Sequence, residues 1–479
     1  MRIESGLLPG HVLQRTAKGA SAAIAGSCSA SGPVTATISS GRAMLRGWSA
    51  RPVGTARGGA FKARLTGLPT GGPYTVTLRI GEERAEVAEV AEVAEVFVGD
   101  LWLMSGQSNM QGIGNMADAP RPHRLVRNFS MAHRWELARD PLNYMPESPD
   151  RVHHGGTQEP AASAARSKRG ALKGVGVGVF FGVAMHRRTG VPQGLIATAH
   201  GGTSMDQWDP AKRALGGDSL YASMLASLRA VRQPIAGVLW YQGESDAIPG
   251  VALAYTQRMQ GFVAALRADL GQRDLPFVIA QIGRVINWTV EHEWNVIQEQ
   301  QRHLPRTIKR LDVVPTIDLE LDDGIHISAK AYATLAERMV SAAARLAHGD
   351  RRESPTPQPV SARILRDHPY GPAIEVRFAD VEGGLRSPGL PLGFSLVDRN
   401  HRPVEQIYKT VLDGDRAILE LGALDRDDLR VMYGRGLNPT CNLCDARGMA
   451  VPVSGPLRVE GLHAATPWVV SWDVSAVRD

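Results

Sequence analysis

Ser105-Gly106-Gln107-Ser108-Asn109-Met110, which follows the apolar run Val96-Phe97-Val98, is the stretch that decides the fold. The run has the composition of a strand, and Gly106 lets the backbone turn sharply at its end so that the Ser108 hydroxyl points into a cleft. Far along the chain the arrangement recurs with a different group. Val313-Val314-Pro315-Thr316-Ile317 precedes Asp323-Gly324-Ile325-His326. A serine hydroxyl is a weak nucleophile at neutral pH unless an imidazole takes its proton, and a carboxylate best holds that imidazole in the required tautomer. Ser108, His326 and Asp323 supply the three groups, with Asp322 a rival for the carboxylate role at a different offset.

Outward from these motifs, strands and helices alternate between residues 97 and 349. Strands are read at Val96–Val98, Leu195–Thr198, Val238–Tyr241, Phe277–Gln281 and Val313–Ile317. Helices with apolar residues three and four apart are read at about 177–188, 218–231, 252–269, 291–303 and 328–347. Strands joined through helices of this length form βαβ units, which predicts an α/β domain with a mostly parallel sheet covered on both faces. Residues 115–175, rich in Pro, His and Arg, read as a long excursion with little regular structure on the active-site side.

Both flanks read as β structure. Val34–Ile38 and Tyr74–Ile80 alternate apolar and polar side chains. Ala-Glu-Val then occurs four times over residues 85–96, a period matching neither a strand face nor a helix stripe, and reads as a low-complexity expansion ahead of the next strand. A Pro-rich linker at Ser354–Pro359 leads to strands at Ala373–Ala379, Gly393–Val397, Leu429–Tyr433 and Val451–Val459, read as a C-terminal β-sandwich. The expected domains are therefore 1–96, 97–350 and 360–479.

A chain of 479 residues is too long for one ordinary core, which agrees with several domains. Apolar content of 43% and charged content of 21% are those of a soluble globular protein. The net charge of +6 is spread without a dense basic block or interleaved aromatics, which argues against nucleic acid as a partner. Three cysteines cannot make a disulfide framework, and Cys441-Asn442-Leu443-Cys444 lacks a second pair to complete a zinc site, so it reads as two partly buried thiols. No apolar stretch reaches the roughly 20 residues that span a bilayer, and Met1–Gly6 lacks a signal-peptide pattern. That leaves a cytoplasmic location, or a leader removed from this chain, with no membrane partner.

Ligands of open α/β sheets bind beyond the carboxyl ends of the strands, and four motifs fall there. Besides those of Ser108 and His326, they are Gly201-Gly202-Thr203-Ser204-Met205-Asp206-Gln207-Trp208 and Gln242-Gly243-Glu244-Ser245-Asp246. Acyl transfer needs donors aimed at a developing oxyanion. The backbone N–H groups of Ser108 and Gly202 and the Gln242 side-chain amide are the candidates. Gln107, Asn109, Thr203, Trp208 and Glu244 are candidates for holding substrate. For Trp208, stacking on a sugar ring and packing at a helix start are equal readings, while Glu244 and Asp246 are favoured as loop braces. His153-His154, in a Gly-rich loop, reads as exposed polar surface.

These motifs resemble the sialate O-acetylesterase-like branch of the SGNH/GDSL hydrolase superfamily, close to esterases that deacetylate xylan. The resemblance rests on Gly99-Asp100-Leu101-Trp102, Gly106–Met110, Gly201–Ser204, Gln242–Asp246 and Asp323-Gly324-Ile325-His326-Ile327-Ser328. Fainter matches lie at His11–Arg15 and from Tyr433 to Leu443. The superfamily's founding pattern carries Asn where this branch has Gln242, and His200 has no counterpart in it. The resemblance implies a central α/β/α sandwich and a Ser108, Asp323 and His326 triad. It further implies an oxyanion site of Ser108, Gly202 and Gln242, and deacetylation of a carbohydrate without metal or other cofactor. Another small ester as substrate, or a glycan-binding protein without catalysis, are the alternatives.

Overall fold

A computed structural model describes residues 1–81, 89–154, 160–286 and 290–462, together with the backbone of the Trp468–Val469 strand. By internal contact the chain divides into two compact units. The first comprises Met1–Gln242, Arg258–Phe277 and His326–Ala343; the second comprises Gly243–Gln257, Val278–Ile325 and Ala344–Asp479.

The first unit is organised on one 18-residue strand, Glu89–Gly106. Its first half pairs antiparallel with Gly71–Ile80, and its second half runs parallel to Gln193–Ala197 and Gly237–Tyr241. A single strand thus crosses residues 96 and 97. It joins the antiparallel strands Ala20–Ser27, Gly32–Ser40, Arg51–Arg57 and Ala60–Leu68 to a parallel arrangement, so the sheet is mixed.

Side-chain pattern explains both halves. Tyr74, Val76, Leu78 and Ile80 alternate inward and join Ile24, Val34, Ile38 and Leu65 in one apolar cluster. Every residue of Gln193–Ala197 and Gly237–Tyr241 is buried, as expected of parallel strands covered on both faces. Helices follow these strands. Leu220–Val231 starts where the Ser219 hydroxyl accepts the Ala222 N–H, and buries Leu220, Met224, Leu225, Leu228 and Val231. Tyr255–Leu270 follows Gly237–Tyr241, and Ala331–His348 follows His326.

Two sequence readings change. The Ala-Glu-Val repeat is strand from Glu89 onward, with residues 85–88 outside the described residues. Opposite Tyr74 and Val76 stand Val96 and Val93, so three residues on one strand oppose two on the other. Glu95, at φ +55°, takes up the extra residue of this bulge. Val93 and Val96 therefore both face the core, which an unbroken strand forbids for residues three apart. The excursion 115–175 also holds more order than expected. Val126–Phe129 is fully buried and pairs parallel with Gln193–Ala197 and antiparallel with Trp135–Leu137. Its Arg127 and Asn128 hid it from apolar pattern reading.

The strand Phe277–Ala280, in the second unit from Val278 onward, pairs with Leu311–Val314. The C-terminal strands form one hydrogen-bonded path from Pro403–Val404 to Ile407–Asp413. Within it Ser454–Glu460 pairs with Arg430–Tyr433 through its first residues and with Gln358–Leu365 through its last. The Pro-rich linker read over Ser354–Pro359 thus ends inside a strand. A separate apolar cluster, including Ile374, Val376, Phe378, Leu419 and Val459, underlies this path.

Candidate active site

The carboxyl end of Glu89–Gly106 is built so that only glycine fits there. Gly106 has φ +130°, and a Cβ at this position would lie 2.2 Å from the Tyr241 carbonyl oxygen. The Gln107 N–H donates to that carbonyl at 2.8 Å, and the chain turns at once into the short helix Ser108–Gln111. Ser108, half-buried, stands at its first position.

The Gly201–Gly202 loop closes against this turn. The His200 N–H donates to the Gly106 carbonyl at 2.9 Å, and the Gly201 N–H to Gln111 Oε1 at 2.7 Å. A Cβ on Gly201 would approach the Ser108 Cβ to 3.3 Å. Gly202 is exposed at φ +71°, with nothing within 4 Å of where its Cβ would be. Thr203 anchors the far side. Its hydroxyl donates to the His200 carbonyl at 2.7 Å and accepts the Trp208 indole N–H at 3.0 Å. Its own carbonyl accepts from Gln242 Nε2 at 3.0 Å.

The histidine segment reaches the same helix through Asn109. Asn109 Oδ1 accepts the Ile327 N–H at 3.0 Å, and the Asn109 carbonyl accepts the Tyr332 hydroxyl at 2.9 Å. The residues following Ser108 and His326 are thereby bonded to each other. His326 itself is half-buried. In the second unit Asp323 is exposed, and its Oδ1 accepts the Ile325 N–H at 3.0 Å, which tightens the Asp-Gly-Ile-His turn.

Several expectations need correction. Trp208 is completely buried and meets Trp240 edge-on at 5.4 Å, so it packs and has no face for a sugar ring. The Asn109 side chain is buried and committed to Ile327, which makes it a brace and not a substrate contact. Gln107, Thr203, Glu244 and Asp246 are buried as well. His153 is 6% exposed, not surface, and its imidazole stacks on that of His200 with ring centres 5.1 Å apart. Sequence reading missed two further braces. Asn143 donates to the Gln111 carbonyl at 3.2 Å and accepts the Ala199 N–H at 2.9 Å, tying the Ser108 helix to the loop before Gly201. Gln111, one turn beyond Ser108, holds Gly201. Helical spacing was a signal for Gln111; nothing local marks Asn143.

Burial pushes the Cys441 thiol up to about 12, in keeping with a structural role beside Tyr433. Among the described residues no group of three or more His, Cys, Asp or Glu side chains is arranged to hold a metal ion. Nor is any helix among them long and apolar enough to cross a membrane.

The chain belongs to the carbohydrate esterase family of sialic acid-specific acetylesterases, whose model matches residues 98–345. It is a hydrolase of that class. Over 220 residues it is 27% identical to a probable carbohydrate esterase of Arabidopsis thaliana, covering 41% of this chain and 72% of that protein. A carbohydrate acetylesterase from Xanthomonas citri shares the fold, with a TM-score of 0.67 at 23% identity over 95% of this chain and 98% of that one.

Proposed function

We propose that the chain removes O-acetyl groups from sugar hydroxyls through an acyl-enzyme formed on Ser108. Ser108 Oγ attacks the acetyl carbonyl carbon while His326 takes the hydroxyl proton. The resulting oxyanion rests on the backbone N–H groups of Ser108 and Gly202 and on the Gln242 amide. His326 then protonates the departing sugar oxygen. Water, losing its proton to His326, attacks the acetyl-serine, and acetate leaves as Ser108 regains its proton. Asp323 orients His326 and stabilises its charged form.

One observation carries this reading. The bond from the Ile327 N–H to Asn109 ties the residue after His326 to the residue after Ser108, while Gly201 packs on Ser108 from the other side. Gln242, at the end of the Gly237–Tyr241 strand, donates to the carbonyl of Thr203, next to Gly202, so the two outer donors are braced through one residue. Around this site we assign residues 97–350 as an SGNH-type α/β/α sandwich, with β domains at 1–96 and 360–479. Separate apolar clusters within residues 7–98 and mainly within 362–459 support that division.

The test is acetate release from O-acetylated sialic acid and from acetylated xylan by wild type and Ser108→Ala. Ser108→Ala is expected to lose more than about 1,000-fold in kcat. Equal rates for the two proteins would remove Ser108 from the mechanism. Release from xylan alone would reassign the sugar.

A further inference from the structure

Behind the Gly201–Gly202 loop lies a line of polar side chains that the esterase mechanism does not use. His200 Nδ1 and His153 Nδ1 are 3.1 Å apart. His153 Nε2 lies 3.0 Å from Ser223 Oγ, and the Ser223 hydroxyl donates to Asp150 Oδ2 at 2.5 Å. All four residues belong to the first unit.

Counting hydrogens fixes the direction of this line. A carboxylate only accepts, so the single Ser223 proton is committed to Asp150. Ser223 Oγ must then accept from His153, which places a proton on His153 Nε2. A neutral imidazole with Nε2–H has a bare Nδ1, so His153 Nδ1 accepts from His200 Nδ1–H. His200 Nε2 is left without a proton. Every step follows from the acid at the far end.

Charge on His153 would break the line, because its added Nδ1 proton would face the Nδ1–H of His200, whereas charge on His200 would add a proton only at Nε2. The surroundings oppose such a charge. Burial, then the nearby His200, His154 and His133, hold His153 down at about 3, and burial lowers His200 as well. His133 bonds Ser227, one helical turn beyond Ser223, at 3.1 Å.

We propose that Asp150, Ser223 and His153 are positioning residues that lock His200 in its Nδ1–H tautomer and thereby fix the Gly202 N–H for the oxyanion. The proposal rests on the esterase reading of Ser108. Its physical basis is that Gly201 and Gly202 carry no side chains and have the widest backbone freedom of any residues. Their peptide orientation is set by flanking anchors. On one side Thr203 is held by Trp208 and Gln242. On the other, His200 is held by its N–H on Gly106, its carbonyl under Thr203 and its ring on His153. Releasing the ring removes the anchor that lies outside the loop's own backbone.

An oxyanion donor acts chiefly in the transition state, so loosening one lowers kcat while KM stays nearly constant. His153→Phe keeps the stacked ring but removes both nitrogens. Its kcat is expected to fall about 10-fold, short of the roughly 100-fold or greater loss when a whole oxyanion donor is deleted. KM should stay within about twofold of wild type if the loss is confined to the transition state. His153→Asn, whose amide oxygen can stand in for Nδ1, is expected to recover part of that loss. ¹⁵N NMR of the histidine rings in the intact wild-type protein gives a readout independent of variant folding. Protonated Nδ1 on His200 and protonated Nε2 on His153 are expected, with both reversed in Asp150→Asn, where the acid no longer dictates direction. Opposite tautomers in wild type, or wild-type kcat in His153→Phe while Ser108→Ala is inactive, would overturn the proposal. Equal activity of wild type and Ser108→Ala would instead reject the Ser108 mechanism, so the two failures are distinct.

Discussion

Asn109 shows how a residue beside the proposed nucleophile, Ser108, can matter through a buried hydrogen bond. Its Oδ1 accepts the N–H of Ile327, whose side chain is buried, so truncating Asn109 leaves that donor unpaired in the interior. An orphaned buried donor costs about 1–3 kcal/mol. Asn109→Ala is therefore expected to lose that much stability in urea denaturation, and to lower kcat because Ile327 adjoins His326. Asn109→Asp keeps an acceptor oxygen and should restore most of the stability; an alanine variant as stable as wild type would show that the bond has no such role. At this scale the sequence was legible where chemistry and backbone geometry coincide. Gly106 before Ser108, and Asp-Gly before His326, are turn signals joined to the proposed reactive groups. Asn143 and the pair His153 and His200 were not legible, because their partners lie tens of residues away and only folding supplies them.

At the scale of elements, the Glu89–Gly106 strand carries a lesson about repeats. A period of three looked incompatible with any element, yet one bulge brings Val93 and Val96 to the same face. Removing Ala94 would leave Glu95 alone between Val93 and Val96, restoring simple alternation with both valines still inward and Glu92 still outward. No buried valine is lost, so the deletion is expected to keep stability within about 1 kcal/mol of wild type by chemical denaturation. Glu95→Gly keeps the bulge and relieves a left-handed residue, so it should be neutral or up to about 1 kcal/mol stabilising. Against this gain it removes an ion pair at 3.3 Å between the exposed Glu95 carboxylate and the buried Arg127 guanidinium. A deletion variant destabilised by about 3 kcal/mol or more would mean that the valines do not keep their inward places once the bulge is gone. The helices and inner strands between 177 and 348 agreed with their sequence periodicity because burial on one stripe or two faces writes an apolar pattern. Val126–Phe129 broke that rule, since its buried Arg127 and Asn128 are polar.

For the molecule as a whole, the α/β class was readable from alternating patterns, whereas the mixing of antiparallel and parallel pairing on one strand was not. Pairing partners are a tertiary choice that local periodicity does not encode. Global stability depends on another feature that no local pattern announced, the buried Asp140 in the excursion after Trp135–Leu137. Burial raises its carboxyl to about 8, with the Gly176 N–H pulling weakly the other way. In the unfolded chain an ordinary aspartate releases its proton near pH 4. Between about pH 4 and 8 the folded protein therefore retains a proton that the unfolded chain has lost. Stability from this group is complete below that window, falls by about 1.4 kcal/mol per pH unit across it, and levels off above pH 8. Asp140→Asn keeps the shape and has no proton to lose. Guanidinium denaturation at pH 5, 6.5 and 8 should show the variant gaining on wild type at each step, because the wild-type carboxyl pays an increasing penalty for staying protonated. Parallel curves for the two proteins would show that Asp140 ionises as readily inside the fold as outside it.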